Sequence, residues 1–349
     1  MVKIKRYVTA DPELAFAVLL AALVYSLFAF TNPLFFTWNT GFAIMERFAV
    51  LGLVGLALTL CIIAGEIDLS IGSNAALTAV IVVRFTDSIG AVNSILLGVS
   101  VATAIGLTQG FLIACLRVRA IVLTVGTLML LRGVALFAAD EKTVMLTDFG
   151  VPDFIQSRVG VIFSPASLLV ITLFVLVGLF MRYTRYGREI YAIGGARKEA
   201  VAAGVNLRRP MMIVFAVSGF CAGVGGAIIG LRSGTAQPLG LQYLLLAATV
   251  AAFIGGVSIL GGKGGVIGAA VGTLTVNILN TGLVFKVTPA YEVQIYLGIL
   301  LLTVIVFQIL SMLYETRKQR ALLLADSNRA QARVVPAGRG DPNHTSRGN

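Results

Sequence analysis

Apolar residues in this chain neither alternate nor mark one face of a helix; they run on. They fill residues 13–31, 45–64, 91–115, 121–139, 165–182, 211–231, 242–260, 266–285 and 291–312, with a shorter run at 70–84. Roughly 20 such residues in a helix cross a hydrocarbon core of about 30 Å. The pattern therefore predicts an all-α polytopic membrane protein with about ten transmembrane helices. The weaker ten-residue alternation of a membrane β-barrel is absent.

Composition agrees with that reading. Hydrophobic residues make up 58% of the 349 and charged residues 12%, against about a quarter charged in soluble domains. Positive charge sets orientation, because Lys and Arg accumulate in cytoplasmic loops. With the N-terminus inside and ten crossings, the inner segments hold 20 of the 27 Lys and Arg, and the outer side holds seven, Arg132 among them. Were residues 70–84 re-entrant, the basic loop at 182–210 would fall outside. Both termini are thus expected in the cytoplasm, and the net charge of +11 is topological, with no nucleic-acid partner implied. Residues 1–313 form the expected membrane domain, and 314–349 a polar, disordered cytoplasmic tail. The first span is too long for a cleavable signal. Cys61, Cys115 and Cys221 fall inside spans and the one histidine, His344, in the tail, so no metal site, disulfide framework or histidine-based catalysis is expected.

Three segments interrupt the apolar pattern. AGEIDLSIGS, residues 64–73, places Glu66 and Asp68 between Gly65 and Gly72. A charge at mid-membrane costs roughly 2.5–3.5 kcal/mol, so these acids predict a helix break at the cytoplasmic mouth. Asp68 is a suitable cap for a helix starting near Ser70; contact with a partner and lining of a path stay open as its alternatives. GGVSILGGKGGVIG does similar work between two later spans, with Gly261, Gly262 and Lys263. The third segment, RYTRYGREIYAIGGARKEAVAAGVNLRRP, is an inner loop with seven bases and two acids. Within it ARKEAVAAG reads as a short helix ending on Gly204 as its cap, too short to hold itself in water and so in need of a partner surface. The outer loop at about 140–163 carries four acids and two bases and reads equally as a connector or a docking surface.

These segments carry a family resemblance. GEIDLSIGS, TVGTLMLLRG (124–133), YGREIYAIGGARKEAVAAGV and GGVSILGGKGGVIGA (255–269) resemble, in order, four blocks of the membrane subunits of ribose-type ABC importers. Departures are Glu66 for a usual glycine, Ala196 for a usual asparagine, and Ala120 and Leu123 in a block that commonly reads Pro-Ser-Phe-Ile. The resemblance implies a non-catalytic permease subunit in a bacterial inner membrane. Its partners would be a separate ATPase that binds the ATP and Mg, a soluble substrate-binding protein, a second permease copy or paralogue, and membrane lipid. It also implies that Gly187, Arg188, Gly194, Gly195, Glu199, Ala200 and Gly204 form the ATPase-coupling loop. Arg188 and Glu199 would make its polar contacts, and Ala200 and Gly204 would allow close approach. The chain has no phosphate-binding loop of its own: LGGKGG (260–265) lacks the first glycine of G-x-x-x-x-G-K-[ST] and has Gly264 where Ser or Thr is needed.

A sugar offers hydroxyls, so its path should be lined by uncharged polar groups within spans. Thr273, Asn277 and Thr281 follow one another at steps of four, with Asn280 three beyond Asn277, on one helical face. Thr124 and Thr127, and Thr103 with Gln109, are further candidates, all in competition with simple helix–helix bonding. The leading expectation is a monosaccharide or similar polyhydroxy substrate. A branched-chain amino acid importer, a secondary transporter and a membrane enzyme are the alternatives. A secondary transporter lacks a mid-span charged pair for ion coupling, and an enzyme lacks convergent catalytic groups.

Overall fold

The computed structural model describes residues 12–148 and 150–334. Lys3, Lys5, Arg6 and His344 lie outside the described residues, as does the tail from 335. Thirteen α-helices are described: α1 (Pro12–Thr31), α2 (Trp38–Ile63), α3 (Ile71–Ile89), α4 (Ala91–Cys115), α5 (Ala120–Ala138), α6 (Gly150–Ile155), α7 (Pro165–Tyr183), α8 (Arg185–Gly195), α9 (Arg197–Ala202), α10 (Arg208–Ser233), α11 (Gln242–Ile254), α12 (Val266–Phe285) and α13 (Ala290–Val334). The strands are β1 (Val144–Met145) and β2 (Thr235–Ala236), antiparallel, with Val144 opposite Ala236. The chain divides into two compact units within α13, between Leu302 and Thr303. Composition favours an early end to helix after 314, yet α13 stays helical to Val334; RKQRALLLA, residues 317–325, is built of strong helix formers.

Eight helices are long and apolar enough to cross a membrane: α1, α2, α4, α5, α7, α10, α12 and the first part of α13, to Tyr314. The other two expected spans are of a different kind. Helix α3 has 19 residues but carries Arg84 and Asp87. Helix α11 has only 13, about 20 Å of rise. The β1–β2 pair marks one end of the bundle. There Gln156 donates to the Arg232 carbonyl at 2.9 Å, Thr147 N–H to Asp87 at 3.1 Å, and Arg158 to Asn39 at 2.8 Å. At the opposite end the Gly262 N–H donates to the Ile63 carbonyl. The chain from β2 to Gly262 therefore traverses the bundle once, partly without helix and partly as α11.

Helix α10 is the hub, packed on α2, α3 and α4. Its sequence explains why: Gly219, Gly223, Gly226 and Gly230 recur at helical spacing and let backbones touch. A Cβ on Gly219 would overlap the Ala102 carbonyl of α4, and one on Gly226 the Ala75 carbonyl of α3. In lipid, where apolar burial between helices brings little, such close approach is the main source of association. At the β1–β2 end the buried Glu46 of α2 faces Arg232, Oε2 to Nε at 3.1 Å, off-axis for a hydrogen bond, while Arg232 also donates to the Glu46 carbonyl.

Gly226→Leu is expected to cost about 3 kcal/mol or more by overpacking, read as a lower melting temperature and loss of monodisperse protein in detergent. Gly298→Leu in α13, where a side chain has open space, is expected to leave both unchanged.

Candidate functional site

The break between α2 and α3 follows from how α2 ends. Gly65, at φ +77°, occupies the left-handed position, with Gly65 N–H bonded to the Ile62 carbonyl and Glu66 N–H to the Cys61 carbonyl, both at 2.9 Å. This paired closure satisfies two end carbonyls and leaves that of Ile63 pointing out. Two other glycine segments meet it. Gly262 N–H, from the loop before α12, donates to Ile63 O at 2.9 Å. Gly194, at the end of α8, lies so close that a Cβ would overlap the same oxygen. Gly261, at φ +81°, sits against Gly65, where a Cβ would come within 2.9 Å of its Cα. Three segments that the sequence singles out separately thus form one backbone-to-backbone clasp.

Side chains brace the clasp. Arg197, the first residue of α9, pairs with Glu66 at 2.6 Å, Nη1 to Oε1. Tyr191 of α8 donates to the Gly264 carbonyl at 2.9 Å; burial pushes its hydroxyl above the usual tyrosine range, keeping it a neutral donor. Ile190 and Ile193 bury the inner face of α8, and a Cβ on Gly187 would overlap the Met181 carbonyl of α7. Helix α9 ends as expected: Gly204 is left-handed at φ +86°, with Val205 N–H bonded to the Ala200 carbonyl at 3.0 Å. Arg188, Glu199, Gly204 and Lys263 are exposed. Ala200 is buried within the chain.

Asp68 lies deeper than the expected mouth. It is 2% exposed. Its Oδ1 accepts from Ser70 N–H at 2.9 Å and Ser70 Oγ at 2.6 Å, and its Oδ2 from Ser218 Oγ of α10 at 2.7 Å. Gln109 of α4 in turn donates to Ser70 Oγ at 2.8 Å. Ser70, the residue before α3, itself makes no side-chain cap bond. The carboxylate therefore holds the turn into α3 and ties it across to α10, with Gln109 anchoring the same serine from α4. Gly72 belongs to the first turn of α3 rather than to the break, against the Leu241 carbonyl.

The other polar candidates separate. Thr103 and Thr127 bond back to Val99 and Leu123 of their own helices. Thr124 donates to the Ile67 carbonyl at 3.3 Å, closing over the break from α5. On α12, Thr273, Asn277 and Thr281 are buried, and these three with Asn280 each hold a buried polar atom without a partner. Thr59 of α2 has another, and Thr273 abuts Gly55 of α2, so the predicted polar face exists and is shut in this conformation. Sequence reasoning missed Arg197, Tyr191 and Ser218. Only Arg197 had a signal, as the first cation after the glycine pair in a chain whose break carries an unusual acid.

Gly194→Ala is expected to lower the melting temperature sharply, whereas Gly195→Ala next to it, where the nearest atom is Gly262 Cα at 3.7 Å, should behave as wild type. Asp68→Ala strands two buried hydroxyls and should cost about 1–3 kcal/mol for each group left unpaired; Asp68→Asn, which keeps one acceptor, should fall between.

Comparison with known proteins matches residues 40–305 to the family described as branched-chain amino acid transport system / permease component. The fructose import permease protein FrcC of Rhizobium meliloti is 30% identical over 313 residues, 86% of each chain. The ribose import permease protein RbsC of Escherichia coli K12 is 30% identical over 86% of this chain and 94% of its own. The D-allose transport system permease protein AlsC of the same strain is 29% identical over 83% and 90%. No solved structure matches the chain. With four sequence blocks in register, three of them contributing to one clasp, and a match across most of the membrane domain, the chain belongs to the branched-chain amino acid transport system / permease component family.

Proposed function

We propose that this chain is the membrane subunit of an ATP-driven importer that carries a monosaccharide or similar small polyhydroxy compound across a bacterial inner membrane. The family description names branched-chain amino acids, but the similar proteins above are permeases for fructose, ribose and allose, which favours the sugar. The observation that carries the mechanism is the clasp. Helices α8 and α9 expose Arg188, Glu199 and Gly204 while their other face is fastened to Ile63, Glu66 and Gly264. A partner that moves α8–α9 therefore moves the end of α2, the break before α3 and the loop before α12 together. Rigid rocking of helix groups about a fixed site is an established route to alternating access.

On this reading the clasp end faces the cytoplasm and meets a nucleotide-binding ATPase, which supplies ATP and Mg. The β1–β2 end faces a soluble substrate-binding protein, and a second permease copy or paralogue completes the pore. The basic residues of 182–210 agree with that orientation.

Glu199→Arg combined with Gly204→Trp is expected to abolish uptake of the sugar that the wild type carries, while membrane insertion stays as in wild type. Tagged wild-type protein drawn from its native membrane in mild detergent should bring with it a stoichiometric ATPase, and the double variant should not. Normal uptake by the double variant would refute the assignment of α8–α9 as the coupling element.

A further inference from the structure

Helix α11 begins inside the bundle. After β2 the chain runs without helix to Leu241, whose carbonyl abuts Gly72 in the first turn of α3. Two helices thus start at the same depth, and neither has a side-chain cap on its first turn. Beside this junction lies a cavity of about 130 Å³ bounded by Gly72 and Ser73 of α3, Leu128 and Arg132 of α5, and Pro238 and Leu241. The other cavity of note, against Leu60 and Phe180, has wholly apolar walls.

Arg132 distinguishes the first cavity. It lies six residues short of the end of α5, about 9 Å of helix rise, inside a run otherwise free of charge. None of the ion pairs described engages it; Arg84 pairs with Asp140 and Arg232 with Glu46. The side chains of Ser73 and Arg132 take part in none of the described hydrogen bonds. An unpaired cation within a span is costly, and such residues mark the routes of polar solutes. The walls supply donors, namely a guanidinium and a hydroxyl, with no carboxylate among the lining residues. A ligand suited to this space is small and rich in acceptor oxygens, as a polyol is. A cation would be repelled.

We propose that this cavity is a transit site for substrate, with Arg132 donating hydrogen bonds to its hydroxyl oxygens. The proposal rests on the importer reading above but assigns the polar contact to α3, α5 and the start of α11, away from the shut polar face of α12. The site selects against cations and admits neutral polyols.

The test uses the assembled transporter in membrane vesicles, with Cys61, Cys115 and Cys221 replaced by alanine and Ser73→Cys introduced. A sulfonate-bearing methanethiosulfonate should label Ser73→Cys, about tenfold faster than its trimethylammonium counterpart, since a local cation concentrates anions. Adding Arg132→Gln should bring the two rates together. Absence of labelling by both charged reagents would show that the cavity is dry, and equal rates with Arg132 present would remove its proposed role; either overturns the assignment. Independently, Ser73→Trp should fill the cavity and reduce uptake of radiolabelled D-ribose, D-allose or D-fructose at least about tenfold while the ATPase still co-purifies. Normal uptake by Ser73→Trp overturns the cavity and leaves the importer reading standing, whereas failure of the wild type to carry any of the three or to bring down an ATPase counts against that reading instead.

Discussion

One carbonyl organises the clasp end of this protein. Helix α2 ends on a left-handed glycine that satisfies its neighbours and leaves Ile63 O free, and a free carbonyl buried within a membrane protein must find a donor inside the protein. Gly262 N–H is that donor. Its approach is possible only because Gly65, Gly194 and Gly261 carry no side chains where three backbones converge. Contacts of this kind have no rotamers to absorb displacement, and close-packed interiors transmit strain. A push on α8 is therefore delivered to α2 and to the loop before α12 with little slack.

The two ends of the bundle are held in different ways. At the clasp end the joint is backbone on backbone, reinforced by the buried Ser218–Asp68–Ser70–Gln109 chain. At the β1–β2 end it is mostly side chain on backbone and ion pair: Arg84 with Asp140 and the Ala138 carbonyl, Arg158 with Asn39, and Gln156 with the Arg232 carbonyl. The Arg84–Asp140 pair is largely exposed, and such pairs contribute about 0–1 kcal/mol. Between the two ends, the glycine faces of α10 fix α2, α3 and α4 as one block.

Much of this was legible in the sequence, because local rules govern it. The break at Gly65, the short helix α9 and its Gly204 cap follow from residues within a few positions of one another. So do eight of the spans; the run at 70–84, read as short, continues as a 19-residue helix to Ile89, and the run at 242–260 yields only the 13 residues of α11. What stayed hidden is non-local. Arg197 and Glu66 are 131 residues apart, and Ser218 and Asp68 are 150 apart; no periodicity links such pairs. The same limit explains Gln109. Gln109 has the polarity of a path residue, but its partner in the fold, Ser70, 39 residues away, claims it first. Arg132 counted in the sequence only as an outer-side charge, since its span gives no sign that α11 starts opposite it.

The shut polar face of α12 bears on why such a bundle can move. Thr59, Thr273, Asn277 and Thr281 are buried with polar atoms unpaired, each a cost of about 1–3 kcal/mol. Thr273 abuts Gly55 of α2, so parting α2 from α12 would open its hydroxyl to a partner, as parting α3 from its neighbours would do for the buried Asn74 Oδ1. The seam between α2 and α12 is therefore one place where opening relieves a buried polar group. Both of its helices end at the clasp, α2 at Ile63 and α12 just beyond Gly262, so a displacement of α8 is delivered to this interface directly.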